Sequence, residues 1–291
     1  MQKTLDLSIK KAETGSLQGG YSTYKLYESY MSNDIWDDFV IDMKTNHAEA
    51  YKEYGAGSGG ELKPKGKYPP KMASYGSSSR MIYNLCKNIV GFHFEYQLPT
   101  RVGGVANLDG YIENQNTQIF VEAKCREPYG VKPHMIERKY ADLYRFINED
   151  STCNLSIDTE NIDDKMNVRF HVGNDTISCF DIKQMICHLL GIANELLNKP
   201  TEKKVLFIYL CYNPNLIEII DSKKSYRIID TYRKMCYECN KIVFKGLFRT
   251  IVKYLSQNLK VGVATEKQID MLTSNFDFVL CDQENYKKYI F

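Results

Sequence analysis

The stretch from Leu108 to Lys124 constrains this 291-residue chain more than any other. Asn114-Gln115-Asn116-Thr117 has turn chemistry, and the residues on either side read as strands. Gln118-Ile119-Phe120-Val121 is β-branched and aromatic, as a strand should be. A two-residue loop at Gln115 and Asn116 pairs Asn114 with Thr117. Carried back, that register sets Asp109 opposite Glu122. Opposed residues of an antiparallel pair share a face at about 4.5–5.5 Å between Cα atoms. Lys124, two residues past Glu122, points to the same face. Two carboxylates and a lysine are thereby expected together among apolar neighbours.

Like charges directly opposed across a sheet are destabilising unless a cation sits between them. Oxygens from Asp109 and Glu122 suit Mg²⁺, which takes a few carboxylates and keeps several waters. Lys124 is then placed to orient a water or help deprotonate it, an arrangement suited to phosphodiester hydrolysis.

An Asp on one strand and a Glu-x-Lys on the next resembles the PD-(D/E)XK nuclease superfamily, with its restriction-endonuclease-like fold. Asp109, Glu122 and Lys124 match its motif residue by residue, whereas Leu108 stands where the superfamily's name has proline. The resemblance covers about residues 77–211 and implies a Mg²⁺-dependent (or Mn²⁺-dependent) endonuclease. It further implies that Asp109, Glu122 and the backbone carbonyl of Ala123 hold the metal, and that Lys124 positions the attacking water. Within the superfamily the chain looks most like bacterial type II restriction endonucleases. Double-stranded DNA is the expected partner, and a homodimer is possible. Two other readings stay open: a catalytically silent DNA-binding module on the same fold, and an RNA- or structure-specific nuclease.

The surrounding elements follow the α-β-β-β-α-β order of that fold. Ser77-Ser78-Ser79 caps a helix expected to run to about Val90. Phe92–Leu98 alternates as a strand and turns at Arg101-Val102-Gly103-Gly104. If that turn centres on Val102, Glu95 falls opposite Asp109 as a further metal ligand, or else is a surface glutamate. A helix over Phe180–Leu197 carries an apolar stripe, and Gln184 and His188 lie opposite it, which points them to solvent or to the inserted segment. The resemblance, in some of whose members a glutamine on this helix reaches the active site, leaves that role open for Gln184. Val205–Leu210 is a buried strand.

The domain reading is a helical N-terminal extension with a Gly/Pro/Lys linker over residues 1–70, then one α/β domain over 71–291. That domain carries an insertion at about 126–178 and a C-terminal α/β extension. Tyr24–Glu53 is expected to be helical, the insertion to hold a helix near Pro133–Ile147 and a strand at Asn167–Val172. The C-terminal extension is expected to hold a long helix over Tyr226–Gln257 and strands at Val261–Ala264 and Phe276–Cys281. The glycines at 55–60 suggest a phosphate loop, but Glu61 stands where that loop needs lysine, so they read as a plain loop.

A net charge of only +2 means that any nucleic-acid surface must be a local patch. Nine Lys or Arg against Asp230 and Glu238 between Lys223 and Lys253 make that stretch the best candidate for phosphate contact, the alternative being a solvated face. Cys236 and Cys239 form a lone C-x-x-C without a second pair, so they read as buried thiols, not a zinc site. With nine cysteines, no apolar leader and no run of transmembrane length, the expected setting is a reducing cytoplasm without membrane attachment.

Overall fold

A computed structural model of the chain describes residues 30–290 apart from 58–59, 65, 67, 75, 126–133, 159–164, 214–222 and 263. It is an α/β structure built on a mixed five-stranded sheet. Strands β1 (His93–Pro99), β2 (Val105–Glu113) and β3 (Thr117–Lys124) form an antiparallel meander. After the sequences of two small sheets, a helix leads to β9 (Lys204–Cys211), which runs parallel to β3. β10 (Phe276–Asp282) adds in parallel beyond β9, so the C-terminal segment extends the sheet.

Both faces are covered. Helices α1 (Asn33–Asn46), α2 (Ala48–Ala56) and α3 (Ser78–Cys86) lie on one side. They bury Met43, Tyr54, Ile82 and Tyr83 with Phe94, Val121 and Ala123 of the sheet. Residues 30–56 thus share a core with the sheet through α2 and β1. The Ser77 hydroxyl caps α3 by accepting from the Arg80 N–H at 3.2 Å.

The other face carries the insertion, with β4 (His134–Glu137), α4 (Ala141–Glu149), β5 (Leu155–Ile157), β6 (Lys165–Val168), β7 (Phe170–Val172) and β8 (Asp175–Ile177). There too lie α5 (Ile182–Asn198), α6 (Lys223–Lys241), α7 (Phe244–Gln257) and α8 (Glu266–Asn275); α9 (Lys287–Ile290) closes the chain. Helix α5 packs on β1 and β2 from within and on α7 from outside.

Several expected elements end elsewhere. The helix expected to reach Val90 stops at Cys86, and the N-terminal helix divides at His47, with residues 24–29 outside the described part. The single helix expected over Tyr226–Gln257 is two, parted at Ile242 and Val243. In place of a helix from Pro133, a strand and a 3-10 turn precede α4, and Pro133 lies outside the described residues. The strand expected at Asn167–Val172 is two short strands. No strand forms among the described residues of Val261–Ala264, where Gly262 turns the chain at φ +51°.

Candidate functional site

The hairpin holds the register drawn from its turn. Gly110 pairs with Val121 and Glu113 with Gln118. The Asn114 side chain fixes the turn by accepting from the N–H groups of Asn116 and Thr117 at 2.9 and 2.8 Å. Pairing between β2 and β3 ends at Gly110–Val121, and beyond it β3 stays paired with β9 alone. In the opening, Asp109 Oδ2 accepts the backbone N–H of Ala123 at 2.7 Å. The side chain of Asp109 thus replaces a ladder bond at the point where the strands part.

Strict alternation does not survive here. Phe94 and Tyr96, two residues apart, pack into opposite cores, and the change falls on Glu95, whose φ is +53°. The register of β1 with β2 brackets Glu95 and Asp109 without pairing them. On β2, Leu108 belongs to one core and Ile112 to the other. Asp109 therefore lies at the inversion of β2. Its charge is felt by Tyr54 on the α2 side, and it feels Glu122 and Lys124. The glycine next to it is required: a Cβ on Gly110 would stand 2.2 Å from Phe92 Cζ.

Glu122 and Lys124 are both buried, with Nζ 2.6 Å from Oε1. Burial works against the charge of Glu122, but Lys124 and His188 outweigh it and hold the carboxyl at about 2. Asp109, half-buried, is pushed the other way, well above the usual carboxylate range, first by burial and then by Glu122. Glu95 is raised to about 7, by burial and then by the charge of Glu61, while Lys71 and Ser79 draw it down.

Gln184 and His188 do not face solvent, which corrects the orientation expected from the helix's apolar stripe. Gln184 Nε2 donates to Glu122 Oε1 at 2.7 Å. His188 is buried, its Nε2 3.1 Å from Glu122 Oε2. The reason is that α5 is covered on both sides. Gly191 belongs to the same stripe and presses on the sheet; a Cβ there would come within 2.8 Å of Ala106 Cβ and 2.9 Å of Leu98 Cβ. The polar stripe is thus the one turned to the sheet, Gln184 and His188 toward β3 and Gly191 toward β1 and β2.

One acid at this place escaped the sequence reading. Glu61, taken for part of a linker, is buried with Oε1 2.8 Å from Lys71 Nζ. Its only sequence signal was an acid inside a glycine loop. Electrostatics thus links Glu61 and Glu122 to Glu95, and Glu95 and Glu122 to Asp109, with Lys71 acting on Glu95 and Lys124 on Asp109. Carboxylate oxygens are the donors a hard divalent cation takes. Among the described residues, however, no three His, Cys, Asp or Glu side chains converge in a ligating arrangement. A cation taking Asp109, Glu122 and the Ala123 carbonyl would use two side chains, and would compete with Lys124 and Gln184 for Glu122 Oε1.

The described cations of the basic stretch are not free charge. Lys241 pairs with Asp175, Lys245 with Asp277, Arg249 with Glu266 and Asp270, and Lys253 with Glu266. Arg233 and Lys234 lie near Asp230 and Glu238, and the side chains of Lys223, Lys224 and Arg227 lie outside the described residues. Cys236 and Cys239 are free thiols, half-buried and buried, and burial raises both. No described helix is long and apolar enough to cross a membrane. No family model, curated protein or solved structure matches the chain.

Proposed function

We propose that the chain is a metal-dependent endonuclease on a restriction-endonuclease-like core, cutting DNA phosphodiester bonds as a restriction-type or defence enzyme. The observation that carries this reading is the convergence of Asp109, Glu122 and Lys124 where β2 and β3 part, with the Ala123 N–H held by Asp109. The order of α3, the three-stranded meander, α5 and a parallel β9 supports it as a frame. Double-stranded DNA in a reducing cytoplasm, with a homodimer to cut both strands, completes the proposal.

Asp109, Glu122 and the Ala123 carbonyl would hold Mg²⁺ or Mn²⁺. When bound, the ion supplies Lewis-acid polarisation of the phosphate and a more acidic water. The protein's own groups do the placing. Lys124 keeps a fixed positive charge, held by Glu122, where negative charge develops on the phosphate oxygens. One of its N–H donors orients the attacking water. Gln184 holds the Glu122 carboxylate in one rotamer.

A second reading has its own support. Both oxygens of Glu122 already have protein neighbours, as suits a nucleic-acid-binding module that no longer cuts. Nicking of supercoiled plasmid with Mg²⁺ or Mn²⁺ separates the two, with a chelator as control and RNA as a parallel substrate. The nuclease reading expects the wild type to nick, and Glu122→Ala and Lys124→Ala to be inactive. Binding without nicking under any divalent metal would leave the silent module standing instead.

A further inference from the structure

Tyr54 of α2 is 1 % exposed and lies among Asp109, Glu95 and Glu61, whose charges oppose its ionisation after burial itself. Its hydroxyl is satisfied without them, donating to the Ser79 carbonyl at 2.9 Å. Just beyond α2 the chain turns at Gly60, with φ +70°, and brings Glu61 inward. The Glu61 carbonyl accepts the N–H of Met72 at 3.1 Å, which ties the loop to the 3-10 turn at Lys71–Ala73. The Glu61 side chain ends in two unequal oxygens. Oε1 meets Lys71, whereas Oε2 is sealed from solvent with no hydrogen-bond partner among the described residues. Since Glu61 is only 4 % exposed, this is a buried carboxylate oxygen that no donor among the described residues satisfies.

Glu95 faces the same loop. A Cβ on Gly57 would stand 3.1 Å from Glu95 Oε2, so the carboxylate lies against the chain that carries Glu61. The left-handed backbone of Glu95 is an uncommon conformation for a non-glycine residue, and it occurs beside this loop. Two carboxylates on different elements thus share one interior with a single lysine, itself largely exposed, at its rim.

We propose that Glu61 and Glu95 together bind a hard divalent cation of the Mg²⁺ class, which fastens the segment after α2 to the sheet. Mg²⁺ characteristically takes one or two carboxylates and keeps water on its other positions. The ion would occupy the α2 side of the strand opening, apart from Glu122 on the α5 side. The site does not depend on the nuclease reading, because its ligands fasten one segment to another whether or not DNA is cut.

Cation affinity of the full chain tests this, with Mg²⁺ followed by the shift in thermal unfolding and Tb³⁺ by tyrosine-sensitised luminescence, for which Tyr54 is the adjacent antenna. Wild type and Glu122→Gln should both show the thermal shift and the luminescence. Glu61→Gln should weaken the cation by about tenfold or more, since ligand charge sets such affinities. Lys71→Met removes the cation that competes for Glu61 Oε1 and should tighten binding. Unchanged affinity in Glu61→Gln, or weaker binding in Lys71→Met, overturns the site, as does a wild type that shows no cation-dependent shift. Lys71→Met keeps the test decisive if Glu61→Gln proves unfolded without cation by circular dichroism. Loss of nicking in Glu122→Gln with the thermal shift retained separates this site from the catalytic one.

Discussion

Gln184 donates its side-chain amide to Glu122 Oε1 at 2.7 Å, joining the first turn of α5 to the third strand across the interior. The bond is between a neutral amide and a buried carboxylate, so it belongs to the stronger class. Replacing Gln184 by Leu should cost about 1.5–3 kcal/mol, the usual worth of a hydrogen bond to a charged group. Urea unfolding measures it. A variant as stable as the wild type would mean that Lys124 alone satisfies that oxygen. If the chain nicks DNA, the same variant should lower kcat more than it raises KM, because Glu122 loses its orientation and not its charge.

Seven residues along the same stripe, Gly191 sets how closely α5 approaches the sheet. A Cβ at 2.8 Å from Ala106 and 2.9 Å from Leu98 cannot be accommodated without moving the helix. Gly191→Val should therefore destabilise by about 1–3 kcal/mol, the range for overpacking a well-filled core. It should also weaken the Gln184–Glu122 contact. The expected signature is that Gly191→Val and Gln184→Leu are less than additive in urea unfolding. Full additivity would mean that the helix adapts locally without carrying Gln184 away.

The same stripe marks where the sequence stopped being legible. The register of β2 with β3 could be read because Asn114 and Thr117 are local turn chemistry, and the pairing follows from two residues of loop. Orientation around α5 could not be read. An apolar stripe normally tells which side of a helix is buried, but α5 is buried on both sides, and the stripe turned to the sheet is the one holding Gln184, His188 and Gly191. Alternation also misleads along β1, where Glu95 at φ +53° marks the change of face, and along β2, where the change falls at Asp109. Glu61 reaches the site by a tertiary path that no local pattern announces.

Lys124 and Glu122 form the most consequential pair. Both are buried, at 7 % and 3 % side-chain exposure, and Nζ stands 2.6 Å from Oε1. Removing one partner leaves an uncompensated charge in the interior, so Lys124→Met and Glu122→Gln should each cost about 3–5 kcal/mol. The double variant should recover part of that loss, because neither charge is then stranded. A double-mutant cycle by chemical denaturation reads the coupling directly. Simple additivity would show that His188 and Gln184 already carry the carboxylate without the lysine. Both single variants and the double should fail to nick DNA, so stability and activity part company in the double.

The basic stretch of α6 and α7 invites a different expectation from the one its charge count suggests. Lys245 Nζ lies 3.1 Å from Asp277 Oδ1, and Lys253 Nζ 3.9 Å from Glu266 Oε1. Arg249 is held by Glu266 and by Asp270 at 2.7 Å. A lysine already paired with a carboxylate releases few counterions when DNA arrives. If Lys245 and Lys253 both contacted phosphates, neutralising them would flatten the slope of log K against log salt by about 1.8. With their present partners, Lys245→Ala with Lys253→Ala should change that slope by much less than one contact's worth, about 0.9. Fluorescence anisotropy of a labelled duplex across a salt series measures it in the presence of Ca²⁺, to suppress cutting. A change near the full two-contact value would mean that DNA displaces Asp277 and Glu266 and that the helices do line the duplex. The small change expected here instead moves the search for phosphate contacts to other lysines, such as Lys139, beside the turn at Gly103 and Gly104, and Lys183, next to Gln184, both of whose charges reach Cys187 of α5.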